Sequence, residues 1–422
     1  MVTKHTPLEW EDGAGAYLRS IAEAISGEDF QVQILWLKPH EHIKWAGFWR
    51  PAQLKRHQAA LKIKDAWSVA GGYLFPLVFY LPFKARCLHR LKQIMQFFGF
   101  SIKRRTRKDG QTTNKPSPPT RNCSWREVPS GEELSLVQRL VRLKQPDILI
   151  SNFAWVSTIF DLPEANDLMK LIICHDVQYL RSAQLNDPVE LRYTKDHEKE
   201  DLSRADALVT ISDSDTLEIQ EMLPDSKTIT IPMISESPTN MPRSKIAGRC
   251  VFVGSHNEFN KEALSWLLHE IWPLVLSQNP KATLDICGSI CASFNTHELP
   301  NVSYLGVVPD LSEIYAYAEL ALVPLLRGSG MKTKVVDACA NRLAVVGTSV
   351  AFQGLPDVEK LCSPRDSAEN FAARVIELLK NHDERAEVAG KSQAIVKQNH
   401  SPTEALITFT DLIDSLSRAN RA

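Results

Sequence analysis

Short apolar runs alternate with helical patterns throughout the second half of this chain of 422 residues. The apolar runs have the length of buried strands and lie at 250–253, 282–287, 301–305, 319–324 and 343–347. Helical patterns separate them at 260–276, 310–317 and about 331–341. Strands that alternate with helices predict a parallel, doubly wound sheet.

The first half of the chain repeats this pattern less regularly. A helical pattern covers 13–26, and strand-like runs follow at 31–37, 147–151, 169–174 and 207–212. The segment 232–248 lacks apolar periodicity and is typical of a linker. We therefore expect two doubly wound Rossmann-like α/β domains that face each other across a cleft, because such sheets bind ligands at the carboxyl ends of their strands.

The length also favours two domains, since 422 residues exceed one ordinary core. We expect an N-terminal domain at 1–235, with an insertion at about 38–132, and a C-terminal domain at 236–400. A final helix would cover 401–422.

Composition narrows the class of protein. The net charge of −1 and the 44% hydrophobic content are typical of a soluble globular protein without overall attraction to nucleic acid. The eight cysteines form no CxxC pair, which predicts reduced thiols. No secretory leader opens the chain, and the longest apolar stretch, Ala70 to Phe83, is too short to span a bilayer. These features predict a cytoplasmic protein.

The predicted insertion is strongly basic. Residues 84–108 contain nine Lys or Arg and no acid, and their apolar residues recur at helical spacing. This pattern predicts a basic amphipathic helix, which suits the surface of an anionic membrane. A solvated helix with its apolar side packed on the domain fits equally well. Nucleic acid is disfavoured because no recognised binding motif accompanies the charge.

The stretch "LLRGSGMKTKVVDACA" at 325–340 carries a candidate anion site. A glycine-rich turn between a strand and a helix presents free backbone N–H groups at the positive end of the helix dipole. Lys332 and Lys334 add charge for a diphosphate, and the Asp337 carboxylate can accept from two ribose hydroxyls. Alternatively, Lys334 and Asp337 are an ordinary surface pair on a helix.

Residues 250–355 resemble the donor-binding domain of GT-B-fold glycosyltransferases, in the retaining group 1 family related to glycogen and sucrose synthases. The resemblance rests on "CVFVGSHNEFNKEALSWL" and "LVPLLRGSGMKTKVVDACA", with the strand ends in matching order. It implies that the loop at Gly254 faces the donor, that Asn260 starts the next helix and that Val308 receives the base. It also implies that the loop of Gly328, Ser329, Gly330, Met331, Lys332 and Thr333 cradles the diphosphate and that Asp337 holds the ribose. The charge of the departing diphosphate would be stabilised by the amides at 330–334 and by Lys332, with Arg327 or Lys334 as further candidates.

One departure from the family concerns its two glutamates, which are separated by seven residues. Here Ser329 and Asp337 stand at those positions. The form "GSGxKxK" resembles a subset of these enzymes, so we interpret the change as variation within the family.

The first half resembles the family's acceptor domain more loosely. "EDGAGAYLRSIAEAI" resembles its first loop and helix, which implies that Gly13 and Gly15 lie near the donor phosphate or the acceptor. The strand before this loop is short, missing or lost upstream. The resemblance also implies that the last helix, 401–422, crosses back to the first domain.

A second site candidate is "LIICHDVQYLR" at 171–181, which delivers His175 and Asp176 to the end of a strand. Similar enzymes place a histidine or aspartate here, beside the reacting sugar. Alternatively, Asp176 caps the next segment and His175 binds a backbone carbonyl. Arg181 would pair with phosphate or with a nearby acid.

Two further motifs are weaker. "SDSD" at 212–215 contains a DxD metal signature, but helix capping by Ser212 or Asp213 explains it better. "FVGSHNEF" at 252–259 lacks the GxGxxG of a dinucleotide site. The sequence therefore predicts neither a metal nor a cofactor.

Together these features predict a retaining, metal-independent glycosyltransferase that uses a nucleotide-diphosphate sugar. The acceptor would be a saccharide or a lipid-linked saccharide, handled at the inner face of the membrane during polysaccharide or glycoconjugate synthesis. The chain could instead be a nucleotide-sugar 2-epimerase of the same fold or a noncatalytic sugar-nucleotide-binding partner.

Overall fold

A computed structural model describes most of the chain outside the basic segment. The residues described are 1–3, 13–27, 30–37, 48–49, 60–63, 67–69, 72–74, 128–185, 192–235, 245–294, 299–308, 310–328 and 330–419. The amphipathic helix expected within 84–108 lies outside these residues, as does Ser329 of the glycine-rich turn.

The N-terminal sheet has seven parallel strands, which are β1 (Val2–Thr3), β2 (Gln33–Trp36), β4 (Ala60–Ile63), β7 (Ile148–Asn152), β8 (Met169–Cys174), β9 (Ala207–Thr210) and β10 (Lys227–Thr230). Their order in the sheet is β10-β9-β8-β7-β1-β2-β4. The first strand is indeed short, and it lies between β7 and β2. The carboxyl ends of β7, β8 and β9 share one edge of this sheet.

A separate antiparallel sheet is formed by β3 (Phe48–Trp49), β5 (Trp67–Val69) and β6 (Gly72–Leu74). These strands and β4 lie within the range assigned to a helical insertion. The prediction was wrong for residues 60–63, because they pair with β2 and extend the main sheet.

The C-terminal sheet has five parallel strands in the order β13-β12-β11-β14-β15. They are β11 (Arg249–Val253), β12 (Thr283–Cys287), β13 (Val302–Gly306), β14 (Leu320–Val323) and β15 (Ala344–Gly347). All five apolar runs that predicted strands in this half are strands here, and β14 and β15 are fully buried. Two doubly wound parallel sheets are therefore confirmed as the architecture.

The helices cover both faces of these sheets. In the first half they are α1 (Gly13–Ile25), α2 (Gly131–Lys144), α3 (Gln178–Leu185), α4 (Lys195–Leu202) and α5 (Asp213–Met222). In the second half they are α6 (Glu258–Trp266), α7 (Trp272–Gln278), α8 (Cys291–Phe294), α9 (Leu311–Tyr317), α10 (Thr333–Ala340), α11 (Pro356–Cys362), α12 (Ala368–Lys380), α13 (His382–Asn399) and α14 (Pro402–Ala419). A π-helical turn, Leu267–Ile271, joins α6 to α7.

The last helix, α14, packs on α1 of the first half. Phe409 meets Phe30 edge to face with 5.4 Å between ring centroids, and Lys227 donates to Ser415. The apolar residues on the α1 side of the N-terminal sheet join those of the C-terminal sheet in one buried cluster. A second cluster covers the opposite face of the N-terminal sheet.

Candidate active site

The glycine-rich turn links β14 to α10 and leaves the first turn of that helix open to a ligand. Lys332 occupies the N-cap position, and among the described residues no side chain caps the helix there. Gly328 and Gly330 have φ values of +141° and +67°, which non-glycine residues rarely adopt. Backbone N–H groups at such a helix start attract anions.

Two lysines lie at this helix start. Lys332 is buried, and its Nζ donates to Gly330 O at 2.5 Å and to Gln353 Oε1 at 3.3 Å. Lys334 Nζ donates to Asn260 Oδ1 at 2.6 Å and lies 5.4 Å from the centre of the Phe252 ring. Burial lowers the pKa of Lys332 to about 8 and that of Lys334 to about 7. Both lysines therefore gain from a nearby negative charge.

Asp337 lies one turn further along α10 and accepts from Ser235 Oγ at 3.2 Å. Burial raises the pKa of its carboxyl to about 6, against the effect of the Ser235 hydrogen bond. A carboxylate held by one weak donor retains acceptor positions for the hydroxyl groups of a sugar.

Arg327 makes contacts that the resemblance does not imply. Its Nε contacts Glu262 Oε2 at 2.8 Å, and its Nη1 donates to Gln184 O, also at 2.8 Å. The guanidinium lies 5.6 Å from the centre of the Phe259 ring. Arg327 thus joins the glycine-rich turn to α3 of the first half. Met331 beside it is buried, and Thr333 is the first residue of α10.

A pocket lies at the carboxyl ends of β11, β12 and β13, the sheet edge that the glycine-rich turn also follows. It is lined by Val253, Gly254, Ser255, Gly288, Ser289, Val307, Val308 and Leu311. Gly254 is tightly packed, because a Cβ there would lie 2.9 Å from Phe252 and 3.3 Å from Asn260. Gly254 and Val308, two of the residues that the resemblance assigns to the donor, thus line the same pocket, and its apolar walls and small residues suit a flat nucleobase.

The resemblance was wrong about the start of the next helix. Asn257 is the N-cap of α6, and its side chain accepts from the Asn260 N–H at 2.8 Å. Asn260 lies inside the first turn, where its Nδ2 donates to Ser255 O and its Oδ1 accepts from Lys334. Asn260 therefore connects the loop after β11 to the helix that carries Lys334.

His175 and Asp176 lie directly after β8. His175 is buried, with its Nε2 2.6 Å from Asn152 Oδ1, and Asn152 Nδ2 donates to Thr3 Oγ1. Because the amide nitrogen already donates to Thr3, its oxygen accepts from His175, and the imidazole carries its proton on Nε2. The imidazole ring packs on Phe153, with 4.3 Å between ring centroids.

Asp176 lies where the two halves meet. Its Oδ2 contacts Arg181 Nη1 at 2.8 Å, so Arg181 does pair with a nearby acid. A Cβ built on Gly330 would lie 2.3 Å from Asp176 Oδ1. The structure therefore brings the glycine-rich turn of the second half against the His175–Asp176 segment of the first.

The start of α1 lies beside the same segment. Gly13 begins α1 and Gly15 is buried in its first turn. The ring of Tyr17 meets the His175 ring edge to face, with 5.3 Å between centroids. Tyr17 therefore brings the N-terminal part of α1 against the histidine.

The "SDSD" motif caps α5, as predicted. Ser212 is the N-cap, and its hydroxyl oxygen accepts from the Asp215 N–H at 3.2 Å. The Asp215 carboxylate is buried close to Asp176 and Lys332, and burial raises its pKa to about 6. Sequence reasoning missed Asp215, because capping accounted for the motif.

The residues that the structure describes were also searched for a metal site and for a helix that could cross a membrane. No three His, Cys, Asp or Glu side chains there converge on a common point that would hold a metal ion. No helix there is both long and apolar enough to cross a membrane.

The second half of the chain is similar to a known protein family. Residues 247–381 match the model described as "Glycosyl transferases group 1". A curated relative, an "Uncharacterized 44.6 kDa protein in cps region" of Klebsiella pneumoniae, is 28% identical over 153 residues, which are 33% of this chain and 39% of the relative. The matched region thus spans well under half of that relative.

Solved structures match more of the chain. S. aureus TarM aligns with a TM-score of 0.53 and 13% identity, over 66% of this chain and 58% of TarM. The pneumococcal O-GlcNAc transferase GtfA aligns with a TM-score of 0.52 and 16% identity, over 67% of this chain and 60% of GtfA. Residues 247–381 of this chain are thus similar to the group 1 glycosyl transferases, and the two parallel α/β sheets have the GT-B fold of TarM and GtfA.

Proposed function

We propose that the protein is a glycosyltransferase that moves a sugar from a nucleotide-diphosphate donor to a saccharide or lipid-linked acceptor. The observation that carries the proposal is the contact between Gly330 and Asp176. It brings the start of α10 with its two lysines, where no described side chain caps the helix, to within a side chain's reach of a buried histidine and a carboxylate. A sugar attached to a diphosphate at α10 would meet His175 and Asp176.

The group to be stabilised is the departing diphosphate. Backbone N–H groups at the start of α10 and the Nζ atoms of Lys332 and Lys334 would hold its developing charge, which is the largest electrostatic demand of the reaction. Burial lowers the pKa of both lysines, although Asp176 and Asp215 act against it at Lys332, and a bound diphosphate would favour the charged form of each. Asp337 would accept from the ribose hydroxyls.

His175 and Asp176 would orient the reacting sugar or the acceptor. Asn152 fixes the imidazole, because its Oδ1 accepts from His175 Nε2–H. We propose that transfer retains the anomeric configuration, by attack from the face of the leaving phosphate. If the reaction inverts, His175 or Asp176 is the candidate general base.

UDP-sugars are the first donors to test. TarM was solved with fondaparinux, alpha-GlcNAc-glycerol and UDP, and GtfA with UDP and GlcNAc. The test incubates the protein with a panel of sugar nucleotides and measures the nucleoside diphosphate released. A transferase releases it, and an acceptor accelerates the release.

The same assay separates the other two functions. A 2-epimerase releases a changed sugar or its nucleotide and gains nothing from an acceptor. A noncatalytic binding partner is stabilised by the nucleotide, because ligands raise apparent stability by mass action, but releases no product. Either result would replace the transferase assignment.

The acceptor proposal concerns the basic segment at 84–108, outside the described residues. A basic amphipathic helix would bring a cytoplasmic enzyme to the anionic inner face of a membrane, where lipid-linked saccharides of polysaccharide or glycoconjugate synthesis are found. Sedimentation with anionic and with neutral vesicles tests this. Preference for anionic vesicles supports the proposal, and equal partitioning or no binding contradicts it.

A further inference from the structure

The segment that follows His175 and Asp176 is bound by a carboxylate from another helix. Two consecutive N–H groups donate to opposite oxygens of Glu198 on α4, Gln178 N to Oε1 at 2.9 Å and Tyr179 N to Oε2 at 2.8 Å. Two consecutive backbone donors at the start of α3 are therefore bound by one internal acid.

Glu198 is held in one orientation. Its side chain is 1% exposed, and a buried carboxylate is costly unless several donors satisfy it. Because each of its oxygens has a different backbone N–H donor, rotation of the carboxylate would break both hydrogen bonds. The positive end of the α3 dipole adds a favourable interaction.

This contact determines where α3 starts and therefore where its side chains lie. Arg181, one turn into α3, binds Asp176 Oδ2. Gln178 Nε2 donates to Asp176 O at 3.2 Å. Gln178 and Arg181 thus both contact Asp176 and both belong to the helix whose first N–H groups Glu198 binds.

The two helix starts near Asp176 and Gly330 differ in whether an internal carboxylate already binds their backbone N–H groups. The start of α3 already has an internal anion, whereas the start of α10 has no side-chain cap among the described residues. A donor diphosphate is therefore directed to α10, and α3 serves to orient Asp176.

We propose that Glu198 is a positioning residue, which acts through the start of α3 to hold Asp176 and His175 in the geometry for transfer. This inference rests on the proposed function. Glu198 lies 20 residues after Gln178 in the sequence and binds only through the backbone in these contacts. Its removal should therefore affect turnover and leave the binding of the nucleotide at α10 intact.

The test compares Glu198→Gln with Asp201→Asn. The glutamine keeps the shape but presents an NH2 group to one backbone N–H, whereas Asp201, equally buried on the same helix, binds Tyr193 and Arg204. We expect Glu198→Gln to lower kcat about 100-fold, since small displacements of reacting groups have such effects. The Kd for UDP should stay within about twofold of wild type.

Hydrogen exchange provides a readout without turnover. In Glu198→Gln, peptides that cover residues 175–185 should exchange about tenfold faster, while peptides from 333–340 stay unchanged. The proposal is overturned if the peptides from 175–185 exchange at the wild-type rate in Glu198→Gln, or if kcat of this variant stays within about twofold of wild type. It is also overturned if Asp201→Asn, with the same loss in Tm, loses as much kcat as Glu198→Gln. If the wild type turns over no sugar nucleotide, the proposed function fails, and the exchange rates still decide whether Glu198 holds the segment.

Discussion

Gly330 and Asp176 belong to different sheets and are in such close contact that Gly330 has no room for a side chain. A Cβ on Gly330 would lie 2.3 Å from Asp176 Oδ1 and 3.5 Å from His175 O, and its φ of +67° adds backbone strain for any other residue. This contact is the point at which the anion site and the His175–Asp176 segment meet.

Gly330→Ala should therefore separate the anion site at the start of α10 from the His175–Asp176 segment. We expect transfer activity to fall about 100-fold, because the new methyl group displaces Asp176 or the turn by about 1 Å. Steady-state kinetics with a sugar nucleotide would measure this. Gly390→Ala on α13 is the control, since a Cβ there meets nothing within 4 Å, and it should keep full activity. Full activity in Gly330→Ala would contradict the importance of the contact.

His175→Ala should abolish transfer and largely spare donor affinity. The imidazole is fixed by Asn152 and by the Phe153 ring, outside the pocket lined by Gly254 and Val308. Calorimetry with UDP and a transfer assay would measure the two quantities separately. Exposed His269 offers a matched control, and His269→Ala should behave as wild type. Wild-type turnover in His175→Ala would move the chemistry to another residue.

Asp337→Asn should weaken donor binding about 10- to 100-fold, which corresponds to the loss of one or two charge-assisted hydrogen bonds. Because burial raises the pKa of the carboxyl to about 6, wild-type affinity should also fall as the pH drops below 6 and the group is protonated. In Asp337→Asn the donor affinity should no longer fall as the pH drops below 6. Calorimetric titration with a nucleotide sugar between pH 5 and pH 7 provides the measurement, and equal affinities would remove Asp337 from the donor site.

Lys334 should make donor affinity fall as the pH rises from about 7 to 9. Burial lowers its pKa to about 7, and that of Lys332 to about 8, so the free protein loses both positive charges over this range. A sugar diphosphate keeps its own charge there, and its binding must return protons to the lysines. Calorimetry in buffers of different ionisation enthalpy would detect the proton uptake. Affinity that is constant over this range would contradict it.

The same lysine has the opposite effect on the stability of the free protein. Unfolded Lys334 keeps its proton up to its ordinary pKa of 10.5, whereas the folded group releases it near 7. Between these values the unfolded state binds more protons, so this contribution to the free energy of unfolding rises with pH. We expect Lys334→Met to be more stable than wild type at pH 6.5, by on the order of 1 kcal/mol, and to lose donor binding. Chemical denaturation at pH 6.5 would show it, and a less stable variant would contradict it.

How much of the fold the sequence predicts depends on where each strand lies. Central strands such as Leu320–Val323 are buried on both faces, so their apolar runs are unmistakable. Ala60–Ile63 and Lys227–Thr230 were missed, and both are edge strands of the N-terminal sheet. An edge strand needs fewer apolar residues: the side chains of "KTIT" are all half-buried.

The candidate site likewise contains residues that the sequence indicates and residues that it does not. The glycine-rich turn and the His175–Asp176 pair were found because each group is contiguous in sequence and follows a strand. Asn152 and Glu198 were missed because their partners lie 23 and 20 residues away along the chain. Only the folded topology brings Asn152 at the end of β7 and Glu198 on α4 to the segment that follows β8.

The most direct test is a crystal structure of the protein soaked with UDP or a UDP-sugar. We expect the base to lie against Val308 and the diphosphate oxygens to bind the first N–H groups of α10 together with Lys332 Nζ. The sugar end would then face His175 and Asp176. A nucleotide bound elsewhere, or a turn that keeps Lys332 on Gly330 O at saturating ligand, would contradict the assignment of a donor site.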